Sequence, residues 1–187
     1  IRDFVINNFI ILDTLTGICI ISRYSQQSEG VHIENILFNN IYLDCQRPLL
    51  VSSDVRGSQD EPVKAMRNIS FNHLRGKGQR SCYVTANKNA VLENISFSDV
   101  AFEYGSVNYD PQRDDPQRSY GEFGRVTADS AFYLLNAQDL SFERVRIDWR
   151  DEGDFWRSAM YAENIQGLQQ HNCRFSAPAG GSDCIVK

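Results

Sequence analysis

Two groups of acids are the first candidates for chemistry in this chain of 187 residues. Asp114 and Asp115 stand together between Pro111 and Pro116, and Glu152 and Asp154 lie within WRDEGDFWR, residues 149–157. Two carboxyls roughly 5 to 9.5 Å apart can cleave a glycosidic bond, one protonating the leaving oxygen while the other acts as base or nucleophile. Neighbouring loop acids meet that spacing by accident, so neither pair is assigned as catalytic. The same loops offer binding chemistry instead. Trp149 and Trp156 can stack on sugar faces while Arg157 bonds hydroxyls or carboxylates. The alternative is that both indoles pack down on the wall of the fold. Tyr109 and Tyr120 lie in a long insertion, at about residues 103–125, and insertions of this length on a regular scaffold are usually functional or disordered.

The five cysteines, Cys19, Cys45, Cys82, Cys173 and Cys184, form no C-x-x-C pair and have no histidine at zinc-site spacing. No metal site and no cofactor is expected from them. Cys19, Cys173 and Cys184 fall in strand patterns, where a thiol behaves as a small apolar group. Asn68-Ile69-Ser70 and Asn94-Ile95-Ser96 match the glycosylation sequon. Both begin a repeated segment, and that place suits an asparagine stacked in a side-chain ladder.

The repeated segment is what must position all of these residues. VHIENILFNNIYL, residues 31–43, has Asn35 followed by Ile36, Phe38 and Ile41. The cadence returns as Asn68, Ile69, Phe71, Leu74 and as Asn94, Ile95, Phe97, Val100, with weaker copies beginning at Asp3, Asp139 and Gly167. Successive copies begin 26 to 33 residues apart except for one step of 45, and such a period signals a solenoid. Apolar residues two apart share one face of a strand, whereas the three-residue step to Ile41 means a corner. Asn39, Asn40, Asn72 and Asp99 suit that bend, because their side chains bond nearby backbone and tolerate positive φ. A second short apolar strand follows each copy, at residues 18–22, 48–52, 81–85, 132–136, 158–162 and 184–187. None of the joins carries a two-residue hairpin signal. The expectation is one all-β domain over residues 1–187, a right-handed parallel β-helix of about six coils, and an antiparallel sandwich is the competitor.

Composition narrows the partners. The chain carries a net charge of −5 and a pI near 5.2, which argues against nucleic acid, since phosphate rewards clustered Lys and Arg. No run approaches the roughly 18 apolar residues of a membrane span. Eleven phenylalanines supply a core suited to strands.

GICIIS (residues 17–22) followed by VHIENILFNNIYLDCQRPLLV (residues 31–51) resembles the C-terminal half of glycoside hydrolase family 28, the polygalacturonase and rhamnogalacturonase group. ADSAFYLLNAQDLSFERVRIDW (residues 128–149) and SAMYAENIQGL (residues 158–168) resemble the last coils of bacterial members. The resemblance implies a parallel β-helix, a pectin-like polysaccharide as partner and a secreted or periplasmic setting. It also implies catalytic aspartates in Asn-Thr-Asp and Asp-Asp motifs and a Gly-His-Gly histidine, all earlier than residue 17 and none present here. The family's Arg-Ile-Lys strand, which holds the substrate carboxylate, aligns with Cys19, Ile20 and Ile21, so both cations are missing. Arg23, two residues further on, is the nearest substitute.

The expected function is therefore that of C-terminal coils of a pectin-directed glycoside hydrolase, inactive alone. A non-catalytic carbohydrate-binding or structural β-helix is the alternative. Apolar strands at both ends, around Phe4 and Ile185, lead to the expectation of a part of a longer helix that self-associates through its open ends.

Overall fold

The computed structural model describes residues 1–23, 30–54, 63–107, 128–151 and 154–187. Among them every regular element is a strand. The order is β1 (Arg2–Arg23), β2 (Ile33–Asp54), β3 (Val63–Gly78), β4 (Cys82–Thr85), β5 (Ala90–Ser98) and β6 (Ala101–Tyr104). Then come β7 (Ser130–Glu143), β8 (Arg146–Trp149), β9 (Ser158–Gln166), β10 (Gln169–His171), β11 (Arg174–Phe175) and β12 (Ser182–Val186). All described pairings are parallel, which disposes of the antiparallel sandwich.

The expectation of a right-handed β-helix of about six coils is corrected by the way the sheet joins up. β2 pairs with β3 through its first half and with β4 through its second. β3 pairs β5, and β5 and β4 both pair β7, so the path β2–β4–β7–β5–β3 returns to β2. The sheet thus closes into a five-strand parallel barrel with further strands added to it. The physical reason is that β2 and β7 run through their bends without a break. Each offers its two halves to different neighbours, and a sheet shared across a bend curls until it meets itself.

The repeats set the register inside this sheet. Ile36, Ile69, Ile95 and Leu140 fall in one row, and Phe38, Phe71, Phe97 and Phe142 in the next. The phenyl rings of that row stack at centroid separations of 5.2, 5.0 and 4.8 Å with interplanar angles of 10–13°. Such offset stacks add about 0.5–1.5 kcal/mol per pair beyond the burial itself. The second strands align as predicted, with Ile20, Val51, Val84, Leu134, Ala162 and Val186 in register.

Bends coincide with residues at positive φ. Asp3, Asn35, Asn68, Asn94 and Asp139, the first residues of five repeats, have φ of 51–61°, and Gly167 begins the sixth at 71°. The second bend uses Asn40 and Asp99 as predicted, but in the third repeat His73 takes the left-handed position in place of Asn72. The sequon asparagines stand in the expected ladder. Asn35 donates its amide to Asp3 Oδ1 at 2.8 Å, Asn68 to Asn35 at 2.9 Å and Asn94 to Asn68 at 2.8 Å. Each amide satisfies the next, so polar side chains at the left-handed position hold one repeat on another.

Candidate functional site

Outward rows run across the sheet as regularly as the inner ones. Asp44, Lys77, Glu103 and Asp148 are register partners on β2, β3, β6 and β8. Each lies nine residues after the start of its repeat, so one position of the repeat carries a charge in four successive copies, and its sign alternates over Asp44, Lys77 and Glu103 before Asp148 repeats the negative charge. Opposite charges one strand apart attract across the strand spacing of about 4.8 Å. Lys77 Nζ stands 3.7 Å from Asp44, and Arg150 Nε 3.8 Å from Glu103.

At one end of this row an open recess of about 230 Å³ forms, lined by Asp44, Lys77, Glu103 and Arg150 together with Cys45, Gln79, Gly78 and Gly105. Space stands open at Gly105. A side chain there would meet nothing within 4 Å, whereas at Gly78 it would press on Pro48 and Tyr104. The two carboxylates can accept hydrogen bonds from hydroxyls, and the ammonium and guanidinium can donate to a carboxylate or hydroxyl. All four charges remain half-exposed, so they are free to exchange each other for a ligand at small cost.

An aromatic cluster holds the recess from beneath. Trp156 is 1% exposed and donates its indole N–H to the Gly105 carbonyl at 3.0 Å. Its ring lies 5.3 Å from Tyr104 and 5.2 Å from Trp149, and Trp149 donates to the Ser176 carbonyl at 2.8 Å. Tyr104 is buried, bonded to the Ala131 carbonyl and beside the Cys82 thiol at 3.1 Å. Burial raises the Tyr104 hydroxyl well above its usual range and pushes Cys82 up to about 12, so both are neutral packing groups at any ordinary pH.

This placement corrects the expectation for Trp156. Its faces are covered by Tyr104, Trp149 and Phe155, and none remains for a sugar. Trp149 is half-buried in the same cluster, and Arg157 is exposed beyond it. Arg23 ends β1 opposite Asp54. Tyr109, Tyr120, Asp114, Asp115 and Glu152 lie outside the described residues, and Asp154 is exposed. Sequence reading missed Asp44, Lys77, Glu103 and Arg150. For Asp44, Lys77 and Glu103 the signal was present in the charges at the ninth position of the repeat, visible once the copies are aligned; Arg150 lies off that position.

A second outward row begins at Cys19 and continues through Leu50, Tyr83, Tyr133 and Tyr161 to Ile185. Tyr133 and Tyr161 stack at 5.2 Å and 3°, with the Arg47 guanidinium 4.3 Å over Tyr83 at one end and Lys187 5.2 Å over Tyr161 at the other. Tyr83 and Tyr133 meet edge to face at 5.6 Å, and the Tyr161 hydroxyl donates to Glu163, so the rings and cations of this row engage one another.

Among the described residues no group of three or more His, Cys, Asp and Glu side chains is placed to hold a metal ion. No helix among them is long and apolar enough to cross a membrane. No family model, curated protein or solved structure matches the chain.

Proposed function

We propose that this chain serves a pectin-directed glycoside hydrolase of the polygalacturonase type, as a part that binds the polysaccharide without cleaving it. The sequence resemblance motivates this reading, and the recess at Lys77, Glu103 and Arg150 is the observation that carries it. Its size suits one sugar ring, and its charges are of both signs. A galacturonate unit needs both kinds of group, acceptors for its hydroxyls and cations for its carboxylate. Hydrolysis would need a carboxyl acid and a carboxylate base flanking the bond. The carboxylates of the recess are each engaged by a cation, which suits binding better than proton transfer.

Trp156, bonded to the backbone of Gly105, makes the site self-reporting. Titration with tri-galacturonate should give a saturable change in tryptophan fluorescence, weakened several-fold by Arg150→Ala, with cellotriose giving none. Reducing-sugar release from polygalacturonate should stay at the buffer blank throughout. An absence of any saturable change, or equal responses to the acidic and the neutral sugar, would sink the reading. Loss of binding in Tyr133→Ala with Arg150→Ala unaffected would move the site to the tyrosine row.

A further inference from the structure

The outward face that carries the recess is cationic although the chain has a net charge of −5. Beside the row of Asp44, Lys77, Glu103 and Asp148 runs a second, in which Tyr42, Arg75, Ala101, Arg146 and Arg174 are register partners on β2, β3, β6, β8 and β11. Arg150, just beyond β8, adds a further cation to Arg75, Lys77, Arg146 and Arg174. The two rows hold three carboxylates, and Asp151 stands 3.8 Å from Arg150. One carboxylate is shared: Asp148 takes Arg146 at 2.6 Å and Arg174 at 2.5 Å, while Asp44 faces Lys77 and Glu103 faces Arg150. Arg75 is exposed and has no ion pair among the described residues. Its strand and that of Arg146 are paired on both sides, so this face owes nothing to a sheet edge.

We propose that the trough over Ala101, between Arg75 and Arg146, is a second subsite for a carboxylated sugar unit, which rests on the recess holding the first. Neighbouring strands stand about 4.8 Å apart, so the backbones of Arg75 and Arg146 are separated by roughly 10 Å and their long side chains flank the short Ala101 between them. A carboxylate over Ala101 accepts from both guanidinium forks, and charge-assisted bonds of this kind are the strong ones. Arg75 gives up no ion pair among the described residues to make them, and Asp148 keeps Arg174 when Arg146 turns to a ligand. Tyr42, 38% exposed at the end of the row, offers a ring for stacking on a sugar face. Arg75 and Ala101 each precede by two residues the Lys77 and Glu103 of the recess. Two residues along a strand span about 6.6 Å, a separation that neighbouring units of one saccharide chain bridge. The face thus fits a linear acidic polysaccharide, whereas a neutral one would bring no carboxylate to Arg75 and Arg146.

NMR titration of the whole chain with galacturonate and with tri-galacturonate tests this. The trimer should bind at least roughly tenfold tighter than the single sugar. Arg75→Glu, which breaks no ion pair of the described fold, should remove that gain and leave galacturonate binding unchanged, and Arg146→Ala should act in the same direction. A trimer held no tighter than the single sugar, or held as tightly by Arg75→Glu, would overturn the subsite and leave the recess standing. Trimer binding that needs Arg75 yet survives Arg150→Ala undiminished would support the anion site and sink the recess. Binding of neither saccharide would sink both. Polyglutamate bound as tightly as polygalacturonate would reveal an unselective cationic face and overturn the proposal.

Discussion

Phe71 and Phe4 occupy the same inner face of the same sheet, two residues from an aliphatic partner in their repeats, yet Phe71 is fully buried and Phe4 is 51% exposed. The difference lies in their neighbours. Phe71 has a phenyl ring on each side, Phe38 at 5.2 Å and Phe97 at 5.0 Å, while β1 pairs with β2 alone among the described strands. An inward position in a stacked sheet is only half the condition for burial, and the rows above and below supply the rest. Substitution should separate the two. Phe71→Ala should cost about 3–5 kcal/mol, the usual loss for a buried aromatic, and Phe4→Ala about 1 kcal/mol. Chemical melts would measure both, and equal costs would erase the contrast between centre and edge.

The asparagine ladder sharpens the comparison at a smaller scale. Asn68 both donates to Asn35 and accepts from Asn94, whereas Asp3 only accepts from Asn35, and both residues sit at positive φ. Alanine at either position pays the same left-handed strain, about 1–2 kcal/mol, but loses two hydrogen bonds at the centre and one at the edge, each about 0.5–1.5 kcal/mol. Asn68→Ala should therefore cost more than Asp3→Ala by about one hydrogen bond. The same geometry forecasts that attaching a glycan at the sequon nitrogens of Asn68 or Asn94 destabilises the fold, because those amides are the donors of the ladder.

Thiols extend the contrast to pH. Cys82 is buried at the centre and its thiol is pushed up to about 12, and burial pushes Cys45 up to about 11. A raised thiol pKa stabilises the fold below the unfolded value of about 8.5. As pH climbs from there toward 11–12 the unfolded chain gains charge that the folded chain resists, and stability falls. Denaturant midpoints between pH 8 and 11 should decline in the unaltered chain and decline less steeply in Cys82→Ala, where Cys45 alone of the two remains, measured against that variant's own baseline at pH 7. In the native state a thiol reagent should reach the exposed Cys19 first and leave Cys45 and Cys82 unmodified.

The weakest effect is expected on the surface. Arg144 grips Asp99 through two hydrogen bonds of 2.7 and 2.8 Å and holds its carboxyl down at about 2. A depressed carboxyl contributes above the unfolded pKa of about 3.9 and loses its contribution as pH falls from there toward 2. The pair is exposed, so Asp99→Asn should shift the midpoint barely at all at pH 7 and in high salt. A large shift would show the bend to be held by this ion pair more than by its backbone.

The all-β content, parallel pairing, row register and ladder asparagines were legible because the sequence repeats them. Ile69 and Phe71 state the inner face by period two, and Asn68 and Asn94 mark the bends with a residue type that tolerates left-handed φ. The closed ring of strands was not legible. It depends on β2 and β7 continuing through their bends, and no local residue choice at Asn40 or Asn136 distinguishes a strand that breaks at a bend from one that passes through it. Nor was the fate of the tryptophans. Trp149 and Trp156 have the same composition around them whether they face a sugar or Tyr104, and only the folded distances of 5.7 and 5.3 Å to that tyrosine decide.

The recess lies between these cases. The alternation Asp44, Lys77, Glu103 was written in the repeat, because one period brings residues 33 and 26 apart in sequence to neighbouring strands. Arg150 follows the end of β8 and its place beside Glu103 came from the chain's path after that strand. By itself, then, the sequence determined which residues share a row, since periodicity is a local property that every copy restates. Only the tertiary structure decided which rows are covered, which stand open and where the sheet meets itself, since those depend on contacts between segments that no single repeat contains.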